Sequence, residues 1–189
     1  MSLQDEIQTI VQKKDFQKRI IDFLYSVCEI DTTTNPDVRK MQENEEKLFS
    51  VIKQYTDTFS SLNGRTIKKS VNPEIEKHPA FSKLHYTKTK ENPEGLSVDE
   101  AYKDRYNLLY VVENEKDPTG NSTALNAHID VVAPFFLPRV DGDYLYGRGA
   151  VDDKGNVAGI LGALTIIDML SADNRVSLKN TITSMFVTE

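Results

Sequence analysis

The chain reads as an α/β protein with a sheet flanked by helices, and three observations predict it. Two helical patterns open the sequence. Short apolar runs follow residue 106. The last third then reads strand, helix, strand, an order that places a helix against a sheet.

Taken in order, residues 5–29 read as one helix, with Ile20, Ile21, Leu24, Tyr25 and Cys28 on a common face. The run Asp31-Thr-Thr-Thr-Asn-Pro36 ends it. A second helix is expected from about 37 to 61, with Leu48, Val51, Ile52, Tyr55 and Phe59 as its apolar stripe. Asn63-Gly64 signals a turn, and Thr66–Val71 a strand. Residues 72–106 are polar, hold Pro73, Pro79, Pro93 and Gly95, and read as an irregular insertion or long loop with a short helix near Val98–Tyr102. Leu108–Val112 is a buried strand by its apolar run, and Asn114–Gly120 is turn-like. Ala124–Val132 is a further strand, Asp141-Gly142 a hairpin turn before Tyr144–Tyr146, Val157–Ile167 a helix, and Asn180–Val187 the last strand.

Composition narrows the function classes. A length of 189 residues supports a sizeable core. The net charge of −6 argues against a nucleic-acid partner, because phosphate binding needs a basic face. A membrane partner is not expected either: the longest apolar candidate, Val157–Leu170, is interrupted by Gly162, Thr165 and Asp168. Met1-Ser-Leu-Gln-Asp-Glu6 lacks the basic end and apolar stretch of a secretory signal. Cys28 is the only cysteine, so an intrachain disulfide is impossible. Together these favour a reducing compartment, the cytoplasm.

Two segments carry the chemistry. The first is Ala124-Leu-Asn-Ala-His128-Ile-Asp130-Val-Val132. Side chains two apart on a strand share a face, so an imidazole and a carboxylate project together from the strand's C-terminal end. Ligand sites of open α/β sheets gather at that edge. Neutral imidazole binds zinc well, and a carboxylate beside it orients the ring. A satisfied polar pair at a strand end is the bland alternative. The second is Tyr146-Gly-Arg-Gly-Ala-Val-Asp152-Asp153-Lys154-Gly155. Its glycines permit tight turns, and one aspartate could simply cap the following helix. A cap does not account for two aspartates, a lysine and three glycines behind a strand-end His-x-Asp. A phosphate loop is disfavoured: the Gly-x-x-x-x-Gly-Lys-Ser/Thr pattern is absent, and two carboxylates would repel phosphate.

These two segments together resemble those of the co-catalytic zinc amidohydrolases and peptidases. That family includes acetylornithine deacetylase, succinyl-diaminopimelate desuccinylase, aminoacylase, carnosinase-type dipeptidases and carboxypeptidase G. The Asp-Asp-Lys form looks more like the carboxypeptidase and dipeptidase members. More loosely, Cys28-Glu-Ile-Asp-Thr-Thr-Thr-Asn-Pro36 is similar to the family's opening segment, which leaves 72–106 unaligned. By this resemblance the cofactors are two divalent ions, zinc, in the full-length parent. His128 binds one, Asp152 bridges both, and Asp130 is the catalytic aspartate that positions His128. A cis Asp152–Asp153 peptide is also implied. The reaction is hydrolysis of a peptide or N-acyl amino-acid amide bond. Its glutamate base and next ligand follow a strand like Asn180–Val187, so Glu189 lies at or one residue before them. Family members are at least about twice as long and carry a second, dimerisation-type domain. Residues 1–189 are therefore expected to be the N-terminal portion of the catalytic domain, inactive alone, from a parent that is a homodimer or monomer. The alternative is a non-catalytic homologue that binds an amino-acid-like ligand. A nucleotide-binding α/β domain has nothing beyond fold class in its favour.

Other residues have plainer roles in prospect. His78 and His85 are expected to be solvated, Cys28 packed, Arg148 a support for its turn, Lys154 a partner in a local salt bridge, and Glu43–Lys47 a solvated helix face.

Overall fold

A computed structural model describes residues 1–81, 83–84, 86–114 and 121–188. His85, the turn expected past Asn114 and Glu189 lie outside them. The opening helix is two helices, α1 (Leu3–Val11) and α2 (Lys14–Cys28). Ser2 and Asp5 form a capping box that starts α1. No glycine or proline marks the break at Gln12-Lys13, so the local sequence carries no signal of it. The break is accompanied by burial of Ile10 and by an ion pair between Glu6 and Arg175 at 2.6 Å. On α2 the buried residues are Phe23, Val27 and Cys28, with Ile20 and Leu24 packed beside them, whereas Ile21 is half exposed. The helical stripe thus runs one position away from the one expected.

Asp37 caps α3 (Val38–Thr56) by accepting from the Arg39 and Lys40 amides. The helix stops short of 61, and Phe59 packs against the core from the turn beyond it. A four-stranded sheet follows, built from β1 (Gly64–Ser70), β2 (Tyr106–Val112), β3 (Ser122–His128) and β6 (Thr181–Val187). Its order is β1-β2-β6-β3. β1 and β6 run antiparallel to β2, and β3 runs parallel to β6. A parallel pair needs a long crossover. Here the crossover holds the hairpin β4 (Arg139–Asp141) and β5 (Tyr144–Tyr146), then α5 (Lys154–Ala172). The expected α/β fold with a helix-flanked sheet is what forms.

Alternation along β2 sends Leu108, Tyr110 and Val112 into the main core. They meet Phe23 and Val27 of α2, Leu48 and Ile52 of α3, and Leu161 and Leu164 of α5. By length and composition α5 is apolar enough to cross a membrane, which the sequence reading of this stretch did not anticipate. In this fold it is a core helix. Its Asp168 carboxylate accepts from the Ser61 and Leu62 amides at 2.7 and 2.8 Å, tying the approach to β1 onto the helix.

Residues 72–106 are more ordered than an irregular loop. A 3-10 turn (Pro73–Lys77), a bridge between Thr87 and Leu96, and the single-turn helix α4 (Val98–Ala101) fold over a second small core. That core is Met41, Leu84, Tyr86, Val98, Ala101 and Tyr102. Its apolar residues are sparse and follow neither helical nor strand period, so periodicity could not find them. Glu45 also departs from expectation. Rather than joining a solvated face, it is buried and pairs with buried Arg105 through three contacts of 2.7–3.2 Å. Burial opposes the Arg105 charge, but the Glu45 hydrogen bonds and field outweigh it, so the guanidinium pKa is raised.

Candidate metal centre

The site sits where β3 ends. The strand stops at His128 rather than Val132, but extended chain continues. The Ile129 amide donates to the Val187 carbonyl at 2.9 Å, and the Val131 amide donates to the Thr32 carbonyl at 3.1 Å. The Thr32 hydroxyl donates to the Ile129 carbonyl at 2.6 Å. Asp130 is thus held between two bonded neighbours, and its carboxylate comes back to His128.

On the other side, β5 leads into the turn 147–153. Gly149 adopts φ +87°, and a Cβ there would lie 2.7 Å from the Val131 side chain. A side chain would be strained by the backbone angle and blocked by the neighbour. This glycine therefore lets the Asp152 turn lie against the Asp130 segment. The Asp152–Asp153 peptide is cis, as the resemblance implied, and Ala133–Pro134 is cis as well.

Four side chains converge on this point. His128 Nδ1 lies 3.0 Å from Asp130 Oδ1, and His128 Nε2 lies 3.1 Å from Asp152 Oδ1. Asp152 is strongly exposed, with 86% of its side-chain surface open to solvent. Asp153 is buried: its Oδ2 accepts from the His128 amide at 3.0 Å, and its Oδ1 accepts from the Asn156 side-chain amide. Of the two aspartates, Asp153 takes the N-cap position of α5, but its side chain makes no cap bond. It fixes the His128 backbone instead. The sequence reading gave one aspartate a possible cap and made Asp152 a ligand by resemblance, and it missed this role of Asp153, which depends on two segments meeting in space. Lys154 was missed too. It is fully buried and, among the described residues, makes no salt bridge; Nζ donates to the Val27 and Ile30 carbonyls at 2.9 and 2.7 Å. Burial lowers its pKa to about 8, against the opposing pull of Cys28, Asp31 and Asp130. Cys28 is buried as expected, and burial pushes its thiol pKa up. Arg148 supports the turn, its Nε donating to the Pro134 carbonyl at 2.9 Å. His78 is exposed, and its Nδ1 accepts from the Ala80 amide at 3.2 Å.

The local electrostatics favour positive charge. Burial works against a charged His128, but the Asp130, Asp152 and Asp153 carboxylates outweigh it, and the ring's pKa is raised. Ligand atoms of His128, Asp152 and Asp153 all lie within 4.8 Å of one another. Nδ1 faces Asp130 and Nε2 faces Asp152, so a ring protonated at Nδ1 would turn its Nε2 lone pair towards an ion held by Asp152. That imidazole and carboxylate set suits zinc, and a carboxylate behind the imidazole is the usual orienting device. The residues present therefore fit a divalent metal.

Comparison with known proteins places this segment among peptidases. Residues 124–188 match the model of Peptidase family M20/M25/M40, so the resemblance to that class of peptidase is borne out over the segment that carries His128, Asp130 and Asp152. More particularly, 85 residues are 34% identical to the LysW-lysine/LysW-ornithine hydrolase of Sulfurisphaera tokodaii, covering 44% of this chain and 25% of that protein. Over 174 residues the chain is 24% identical to the human Beta-Ala-His dipeptidase, covering 87% of this chain and 30% of that one. Among solved structures, human carnosine dipeptidase 1 superposes with a TM-score of 0.63 at 17% identity, over 98% of this chain and 34% of that one, a likeness of fold. The chain thus spans between a quarter and a third of the length of these relatives.

Proposed function

We propose that the chain is the N-terminal portion of the catalytic domain of a longer, metal-dependent hydrolase that cleaves a peptide or N-acyl amino-acid amide bond. The observation that carries this is the placement of His128 between two carboxylates, with Asp130 on Nδ1 and Asp152 on Nε2. His128 and Asp152 would be metal ligands, with Asp152 bridging two zinc ions, and Asp130 the catalytic aspartate. Bound zinc would polarise the scissile carbonyl and lower the pKa of a bound water.

The chain's own residues supply the rest. Asp130 holds the Nδ1 proton and so keeps Nε2 free to ligate. Asp153 fixes the His128 backbone, and the Gly149 turn presents Asp152. One histidine and one bridging carboxylate are fewer ligands than a catalytic zinc site uses. Further ligands, the general base and a dimerisation-type domain belong to the rest of the parent in this reading. A cytoplasmic setting belongs to the same proposal and suits the single buried Cys28.

The test is hydrolysis by the parent against a panel of dipeptides and N-acyl amino acids, with and without chelator. Activity abolished by chelator and restored by zinc is expected. Chelator-resistant activity overturns the mechanism, and metal binding without any hydrolysis points to a non-catalytic homologue. The 189-residue chain by itself should be inactive and bind zinc weakly. Two tightly bound ions per chain would refute that part.

A further inference from the structure

We infer that Lys154 is a positioning residue for the metal centre: it straps the end of α2 beneath the site and so sets Asp130 against His128. Lys154 is the first residue of α5 and is fully buried. A buried amine without partners is costly. Lys154 spends its donors on two backbone carbonyls at the end of α2, Val27 O at 2.9 Å and Ile30 O at 2.7 Å. Val27 lies in the last turn of α2, where carbonyls lack i+4 helical donors, and Ile30 lies two residues past the helix, so both carbonyls can accept from such a group. The strap holds whether the side chain is ammonium or neutral amine, since either form has two hydrogens to give.

From Ile30 the connection continues through a short, fully bonded path. Two residues on, Thr32 grips the Asp130 segment from both sides, its hydroxyl donating to Ile129 O and its carbonyl accepting from Val131 N. Thr33 and Val131 then pair as a parallel bridge. Asp130 lies between those two anchor points, and its Oδ1 meets His128 Nδ1 at 3.0 Å. Lys154 itself adjoins the Asp152-Asp153 turn. The lysine therefore joins the start of α5 to the end of α2, and Thr32 carries that link on to the Ile129–Val131 stretch. This goes beyond packing. The orientation of the His128 ring depends on where the Asp130 carboxylate is held, and that position is inherited from Lys154 through Thr32.

This role rests on His128 being a metal ligand, as proposed, but its test does not use the metal. The chain is labelled with 15N-histidine, and His128 is assigned by its loss in His128→Gln. Ring-nitrogen shifts are recorded without metal, at a pH where the imidazole is neutral. Wild type is expected to show a single tautomer, protonated at Nδ1. Lys154→Met, with fold checked by circular dichroism, is expected to lose that signature, the two ring-nitrogen shifts moving towards their average. Thr32→Val keeps Lys154 and side-chain shape, removes the hydroxyl bond to Ile129 while leaving the backbone bond to Val131, and should move the shifts the same way. A folded Lys154→Met with the wild-type signature overturns the inference. So does an unchanged signature in Thr32→Val should Lys154→Met fail to fold, loss of fold in both variants, or absence of a single tautomer in wild type. A wild type with the tautomer, from a parent that binds no zinc, overturns the metal proposal and leaves the positioning role standing.

Discussion

Replacing Glu45 by alanine should remove a large part of this fold's stability, and the double variant Glu45→Ala/Arg105→Met should restore most of it. The Arg105 side chain is 1% exposed and that of Glu45 is 9% exposed. Three nitrogen–oxygen contacts of 2.7, 3.1 and 3.2 Å join them. Taking out the carboxylate leaves the guanidinium with the Ala101 carbonyl at 3.3 Å and the Tyr102 ring at 5.1 Å as its recorded partners. An uncompensated buried charge of this kind costs about 3–5 kcal/mol. Total stability of a domain is only about 5–15 kcal/mol, so the single variant should sit near its unfolding threshold at 37 °C. Removing the charge as well changes the balance, because a buried ion pair replaced by apolar groups of similar volume is often neutral in stability. Urea unfolding at pH 7, followed by circular dichroism, measures each corner of the cycle. A loss below about 1 kcal/mol in Glu45→Ala would refute the reasoning, since surface pairs contribute that little. A double variant no more stable than the single would refute it equally, by showing that lost packing rather than the stranded charge is the cost.

Asp168→Ala strips the acceptor from the Ser61 and Leu62 amides and should cost roughly 2–4 kcal/mol, with faster hydrogen exchange confined first to those amides; unchanged exchange there would contradict the role assigned. Burial, reinforced by the Asp168 field, pushes the Tyr110 phenol up to about 12 from 10.0. A raised folded-state pKa contributes stability that is complete below the unfolded value and lost as pH climbs through the folded one. Stability should therefore fall between pH 10 and about 12, and Tyr110→Phe should remove that component; an identical alkaline profile in the variant would count against it. In the parent, Asp130→Asn should weaken zinc binding about 10–100-fold by chelator competition, as loss of a carboxylate behind a ligating histidine does. Unaltered affinity would take Asp130 out of the site.

Much of this was legible in the sequence, for identifiable reasons. Strands β2 and β6 announce themselves because apolar, β-branched runs have few other uses. The hairpin follows from Asp141-Gly142, where Gly142 takes φ +58°. His128 and Asp130 drew attention by residue type and spacing, Asp152 was singled out by the family resemblance, and the structure brings all three together. By contrast, the break between α1 and α2, the second core over Met41, and the Glu45–Arg105 pair have no local signature. Glu45 and Arg105 stand 60 positions apart, and a glutamate between other charged residues reads as solvated until a partner arrives.

The sequence by itself determined the α/β class and, through its resemblance to a known family, pointed to the two segments that meet at the site, because those depend on local period and on motif. Only the tertiary structure decided how the site is held. Asp153 binds a backbone amide instead of capping its helix, and Lys154 bonds two helix-end carbonyls instead of a carboxylate. The physical reason is the same in both cases. A buried polar group must take whatever partner the packing brings, and that partner is chosen by the fold rather than by neighbours in the chain.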